Sequence, residues 1–225
     1  SLLRLKFTKL ERSVLLKACT NGASELMSNI SGSIVSALYN FQLIKFAGEN
    51  GVAAYGVLMY IQFIFVAIFI GYTIGTSPII GYHYGAANYD ELKNMLRKSM
   101  TIMGVGGVIM MILAQALASP LANIFVGYDA ELYDMTCHAF KIFSLSFIFA
   151  GVNIFASSFF TALNNGAVSA AISFLRTLVF QVAAVLILPI LFKLDGIWFA
   201  ITAAEVFALV ISMIFLVKKR AEYHY

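Results

Sequence analysis

Residues 52–74 read VAAYGVLMYIQFIFVAIFIGYTI, a run without a single charged side chain. A helix of about 20 apolar residues is long enough to cross the roughly 30 Å hydrocarbon core of a bilayer, so this run predicts a transmembrane helix. The whole chain has the same character, because 61% of its residues are hydrophobic and 12% are charged. Soluble domains carry about 25% charged residues. We therefore expect an all-α integral membrane protein.

Further apolar stretches on both sides of this run divide the chain into six predicted transmembrane helices. The predicted spans cover residues 14–46, 52–74, 100–125, 135–163, 167–192 and 197–217. Residues 1–13 are expected to form a basic lead-in at the membrane surface, and residues 218–225 a cytoplasmic tail. Pro78, Pro120 and Pro189 lie near predicted span ends, where we expect them to end helices.

The distribution of basic residues predicts the orientation. Twelve of the fifteen Lys and Arg residues fall on the predicted membrane side that also holds both termini. The positive-inside rule places that side in the cytoplasm. We expect a multi-pass protein of the plasma (inner) membrane with both termini cytoplasmic. Because the basic residues adjoin apolar spans, the expected partner is the lipid bilayer and not nucleic acid.

The first span carries a polar face. Its members recur at steps of three or four residues, the spacing of one helix face: Asn21, Glu25, Asn29, Gly32, Ser36 and Asn40. An acidic residue at a helix centre costs about 2.5–3.5 kcal/mol on insertion scales, so this face is not expected to meet lipid. A helix–helix seam is one interpretation, since small and amide side chains join spans. The carboxylate of Glu25 favours the other, a water-filled cavity.

Two more charges and one amide break the apolar pattern of the later spans. Glu205 lies about 12 Å into the sixth span, and it is expected either to pair with a basic group or to serve as a proton or cation site. Arg176, in the fifth span, either reaches the headgroups, pairs with an acid or binds an anionic solute. Asn153 begins a weaker polar run on the fourth span.

No enzymatic constellation accompanies these residues. The sequence has no nucleophile elbow, phosphate-binding loop or HExxH pattern, and no His or Cys spacing typical of a metal site. We expect neither an enzyme nor a resident metal.

Several motifs resemble a known transporter family. The stretch Thr76–Ala86, TSPIIGYHYGA, followed by Asn88-Tyr89, resembles the loop after the second helix of each lobe in multidrug and toxic compound extrusion (MATE) transporters. The run FSLSFIFAGVN at 143–153, then Leu175-Arg176, Leu188-Pro189 and LDGIW at 194–198 leading to Glu205, is similar to the C-terminal lobe of bacterial members.

The resemblance implies one six-helix lobe of a twelve-helix transporter with a central cavity between its lobes. It implies export of organic cations or drugs in exchange for Na⁺ or H⁺. The partner would be a missing N-terminal six-helix lobe or a second copy of this chain. Glu25 matches an acid that some members use for cation coupling, and Glu205 matches an acid common in the last helix. Asn21, Asn29, Ser36 and Asn40 would line the cavity.

Two alternatives remain at this stage. A lipid-linked oligosaccharide flippase of the same superfamily would need several basic residues in its cavity, where Arg176 is the single candidate. A scaffold or receptor would need no cavity, and another helix would then fill the stripe through Glu25.

Overall fold

A computed structural model describes residues 11–225, apart from the side chains of Ser24, Glu25 and Met27. The described chain is helical with short connections, as expected for an all-α membrane protein. The helices are α1 (Arg12–Gly85), α2 (Tyr89–Val126), α3 (Ala130–Phe143), α4 (Phe147–Ala162), α5 (Gly166–Phe174) and α6 (Gln181–Tyr223). A 3₁₀ turn, Ser144–Ser146, joins α3 to α4, and a π-helical segment, Leu175–Phe180, joins α5 to α6.

Helix α1 folds back on itself at Gly48. That residue has φ 62° and ψ −150°, a backbone conformation that is essentially restricted to glycine. Sixteen residues separate Tyr39 from Tyr55, which is about 24 Å along a straight helix. Their rings nevertheless stack with centroids 5.0 Å apart. Residues 12–47, the first arm, therefore lie beside residues 49–85, the second arm.

A second reversal divides α6 at Lys193, which has φ 50° and ψ −128°. Gly196 lies just beyond the reversal, and a Cβ atom there would come within 2.3 Å of the Leu188 carbonyl oxygen. Four continuous helical stretches are long and apolar enough to cross a membrane among the described residues. The count of six spans stays a prediction, with the reversals at Gly48 and Lys193 lying where the sequence predicts loops.

Asparagine or aspartate caps the start of three helices. The side chain of Asn88 accepts a hydrogen bond from the Glu91 backbone N–H, and Asp129 and Asn165 do the same for the residue three positions later. Such caps satisfy backbone donors that have no partner within the helix. They explain why α2, α3 and α5 begin where they do.

The prolines depart from expectation. Pro78, Pro120 and Pro189 lie inside α1, α2 and α6, so the prediction that they end helices is wrong. The helices tolerate them because neighbouring helices and local adjustments can satisfy the freed backbone groups in a membrane bundle.

Contacts between distant segments define one end of the bundle. At one end, Asn21 Nδ2 donates to the Thr161 carbonyl oxygen at 3.3 Å, and Asn165 Nδ2 donates to the Tyr223 hydroxyl at 2.7 Å. The start of α1 and the end of α6 therefore lie at the same end, called here the terminal end. The division into a lead-in, a lobe and a tail stays a prediction, and residues 1–10 of the lead-in lie outside the described residues.

Buried apolar side chains form two clusters with polar residues between them. One contains Trp198 and Ile201, and the other contains Phe155 and Leu216. On α6, Glu205 lies between Ile201 and Leu216, and it is 1% exposed. The outer faces carry exposed apolar side chains, as expected for surfaces that meet lipid.

Candidate functional site

The π-helical segment Leu175–Phe180 carries Arg176 into the interior. Short π-helical stretches are rare and occur often at functional sites. From this segment, Arg176 Nε donates to both carboxylate oxygens of Glu205, at 2.9 and 3.0 Å, and Nη2 donates to Oε1 at 2.7 Å. Side-chain exposure is 17% for Arg176 and 2% for Glu205. The sequence left three alternatives for Arg176, and the structure shows one of them, an ion pair with the acid Glu205.

Asn153 completes the surroundings of the carboxylate. Its Nδ2 donates to Glu205 Oε2 at 2.7 Å and to the Glu205 backbone oxygen at 2.9 Å, while its Oδ1 accepts from Ser212 Oγ at 3.2 Å. A carboxylate has about four lone-pair sites. Four N–H···O contacts from Arg176 and Asn153 reach the two carboxylate oxygens of Glu205, so a cation could bind this carboxylate only by displacing one of them.

A cavity of about 220 Å³ lies beside the ion pair, between both arms of α1, the π-helical segment and α6. Its polar lining comprises Ser36, Tyr39, Tyr55, Gln62, Arg176, Thr177, Gln181 and Glu205. The Tyr39 hydroxyl is buried and has no hydrogen-bond partner among the described residues, although the ring is stacked on Tyr55. A buried unpaired hydroxyl is costly, so we expect an ordered water to supply the missing hydrogen bond.

The polar stripe of the first arm is divided between different surroundings. Ser36 and Gly32 line the cavity. Asn21 contacts the end of α4 instead, Asn29 is exposed, and Asn40 is half-buried without lining the cavity. The side chain of Glu25 lies outside the described residues, so its role stays a prediction.

Sequence reasoning missed several lining residues. Tyr39 and Tyr55 read as ordinary span residues, although Tyr39 lies three positions after Ser36 on the same face. Gln62, which stands alone in its span, lines the cavity from the second arm. Thr177 lies within the π-helical segment and Gln181 is the first residue of α6. No sequence pattern marks the position of this segment.

The hydroxyl run on α4 has a packing role. Ser157 Oγ lies 3.0 Å from Ser169 Oγ, and Thr161 Oγ1 lies 2.6 Å from the same atom. These contacts join α4 to α5, as small polar residues do between membrane helices. Among the described residues, no group of three or more His, Cys, Asp or Glu side chains is placed to hold a metal ion.

The described chain therefore consists of long apolar helices, long enough to cross a membrane, that pack around a cavity with a partly polar lining. The family model described as MatE matches residues 26–187, and the chain therefore belongs to this family of membrane transporters. A comparison with curated protein sequences gives no match.

Solved structures support the same fold. An outward-facing multidrug resistance MATE family transporter of the MOP superfamily matches with a TM-score of 0.89 and 21% identity, over 99% of this chain and 50% of that one. A MATE structure in complex with MaL6 matches with a TM-score of 0.88 and 20% identity, over 96% and 49%. A MOP superfamily transporter from Pyrococcus furiosus, described as having a reversed binding-pocket polarity, matches with a TM-score of 0.87 and 21% identity, over 96% and 49%. The chain spans about half the length of these transporters.

Proposed function

We propose that this chain is the C-terminal lobe of a secondary antiporter that exports organic cations or drugs in exchange for Na⁺ or H⁺. The observation that carries the proposal is the 220 Å³ polar cavity beside Ser36 and the Arg176–Glu205 pair, inside a fold of the MatE family. Transporters built from repeats bind solutes near the membrane midplane, between elements that move against each other. The remaining half would be an N-terminal lobe or a second copy of this chain.

The chemistry of the lining suits a cation. Tyr39 and Tyr55, whose rings stack on each other, line the cavity beside Gln62 and Gln181, which offer amide oxygens. Aromatic faces attract organic cations by about 0.5–2 kcal/mol, depending on desolvation. The guanidinium of Arg176 would oppose a cationic solute, but its charge is compensated by Glu205 at 2.7 Å.

Glu25 is the proposed coupling acid. It lies eleven residues before Ser36, about 16 Å along the first arm, on the same predicted helix face. Asn21, Asn29 and Asn40 are proposed to supply further polar groups along this helix face during transport. The saturated carboxylate of Glu205 supports a different role for that residue, which is to position Arg176 at the wall of the cavity.

The flippase alternative is less well supported. A lipid-linked oligosaccharide carries a pyrophosphate, which calls for several cationic groups. Among the described lining residues Arg176 is the one cation, and it is paired with Glu205. A scaffold without transport would need no cavity, so the cavity beside Ser36 favours transport.

Uptake of tetraphenylphosphonium into proteoliposomes tests the proposal on the transporter that contains this chain. An imposed Na⁺ or H⁺ gradient should drive uptake, and Glu25→Gln should reduce it at least tenfold with unchanged protein incorporation. Glu131→Gln, which removes an exposed acid at the start of α3, should transport normally. Gradient-driven uptake that persists in Glu25→Gln would refute the coupling role. A wild-type protein without gradient-driven uptake would refute the antiport proposal.

A further inference from the structure

A second cavity lies at the terminal end of the bundle, on its outer surface. It has a volume of about 300 Å³ and lies between the first turns of α2 and the last turns of α6. Lys93, Arg97 and Arg220 supply its charged lining, and apolar side chains such as Met100 and Leu216 supply the rest. Nothing in the proposed antiport mechanism uses this groove.

The three cations have no acidic side-chain partner among the described residues. None of Lys93, Arg97 and Arg220 lies within ion-pair distance of an Asp or Glu carboxylate in that part of the chain, whereas the neighbouring Lys219 pairs with Glu222. Arg220 Nε donates to the Tyr225 backbone oxygen at 2.9 Å, which holds its side chain toward the groove. Three positive charges without an acidic side-chain partner line one opening and would repel one another unless an anion joined them.

The groove opens onto an exposed face of α6. A neighbouring surface depression of about 530 Å³ shares Met213 and Val217 with the groove, and its other lining residues on this helix are Leu209, Val210, Ile214 and Lys218. Arg220 and Leu209 are eleven residues apart, so this mainly apolar face runs about 16 Å along the helix. The cations are therefore at the terminal end, and the apolar lining extends from them toward the membrane centre.

We propose that this groove binds one anionic phospholipid of the leaflet at the terminal end. Its phosphate would be held by Lys93, Arg97 and Arg220, and one acyl chain would lie along Met213, Val217 and Leu209. Basic pockets between transmembrane helices on the cytoplasmic side recognise anionic headgroups in this way. The apolar face of α6 beside the groove distinguishes a lipid from a free phosphate ion, since a free ion has no acyl chain to pack there.

Native mass spectrometry of the purified protein tests this assignment by counting bound dioleoyl phosphatidylglycerol. Arg97→Gln and Arg220→Gln should each weaken binding about fivefold, the factor that corresponds to about 1 kcal/mol per cation near an anionic lipid surface. The double variant should lose about 25-fold. Lys98→Gln is the matched control, because Lys98 is exposed on α2 but does not line the groove. It should change binding less than twofold.

Three comparisons show whether the ligand is an anionic lipid. Dioleoyl phosphatidylcholine should bind more weakly than phosphatidylglycerol, and the dihexanoyl form of phosphatidylglycerol should bind more weakly than the dioleoyl form. Inorganic phosphate should not displace the lipid. Equal binding of phosphatidylcholine, equal binding of the short-chain lipid, displacement by phosphate or an equal loss in Lys98→Gln would each overturn the proposal. Lipid counting does not depend on transport, so its outcome is separate from that of the antiport test.

Discussion

Replacing Arg176 with methionine should be among the most destabilising single changes in this chain. The substitution removes three N–H···O contacts of 2.7 to 3.0 Å from Glu205. Glu205 then keeps one side-chain contact, from Asn153, while its carboxylate stays 2% exposed. Removing one partner of a buried ion pair costs about 3–5 kcal/mol, because the other charge is left without compensation.

The paired substitution separates the cost of the unpaired charge from that of lost packing. Replacing both Arg176 and Glu205 by methionine removes both charges, and such replacements of buried pairs are often neutral or stabilising. Asn153 would lose its side-chain acceptor, which costs about 1–3 kcal/mol for a buried amide. We therefore expect the double variant to be more stable than Arg176→Met alone.

The free energy of unfolding can be measured by equilibrium unfolding in mixed micelles. Trp198 is a native fluorescence probe for this measurement, because it is 1% exposed and lies seven residues before Glu205. Lys98→Met, which removes an exposed cation, is the control and should stay within about 0.5 kcal/mol of wild type. Two results would contradict this reasoning: Arg176→Met as stable as Lys98→Met, or the double variant less stable than Arg176→Met. Either result would show that Arg176 does not stabilise the fold by compensating the buried charge of Glu205.

Three further substitutions test the packing and the cavity. Gly107→Ala should destabilise the protein by about 1–3 kcal/mol, because its Cβ would meet the backbone oxygens of α4 at 2.7 Å; Gly104→Ala, with open space around it, is the control for thermal unfolding. Gly48→Ala should cost about 1–3 kcal/mol through its positive φ, whereas Gly56→Ala, in open space and in a helical conformation, should be neutral or stabilising. Tyr39→Phe should leave stability unchanged or raised, since it removes an unpaired hydroxyl, and a loss of stability above about 1 kcal/mol would show that this hydroxyl has a partner.

Much of the fold could be predicted from the sequence because lipid imposes a simple rule. A run such as residues 52–74 must be helical in a membrane, since every backbone polar group needs an internal partner. The position of the reversal at Gly48 could also be predicted, because Gly48 lies between two apolar runs. The three prolines do not end helices as predicted, because proline inside a membrane helix is tolerated more readily than in a soluble one.

The site was harder to predict because it depends on contacts between distant residues. Asn153, Arg176 and Glu205 each stood out as polar residues in apolar surroundings, but 52 residues separate Asn153 from Glu205. Periodicity within a helix does not determine which helices adjoin. The π-helical segment at Leu175–Phe180 also left no pattern in the sequence, because a shift in hydrogen-bond register arises from packing. Tyr39 and Tyr55 do not stand out in the sequence, since tyrosine is frequent near the ends of membrane spans, at the membrane–water interfaces.

The most direct test of the account is the aqueous accessibility of Ser36 in the assembled transporter. Cysteine is introduced at Ser36 after Cys19 and Cys137 are changed to serine, and a membrane-impermeant maleimide measures the labelling rate with and without tetraphenylphosphonium. Ile34, which is 47% exposed on the outer face of the same arm, is the control site and should be shielded by lipid.

The account predicts that the cysteine at position 36 is labelled, that the organic cation slows this labelling, and that the cysteine at position 34 is not labelled. If the cysteine at position 36 is as unreactive as that at position 34, or if the cation leaves its labelling rate unchanged, the cavity is not the solute site proposed here.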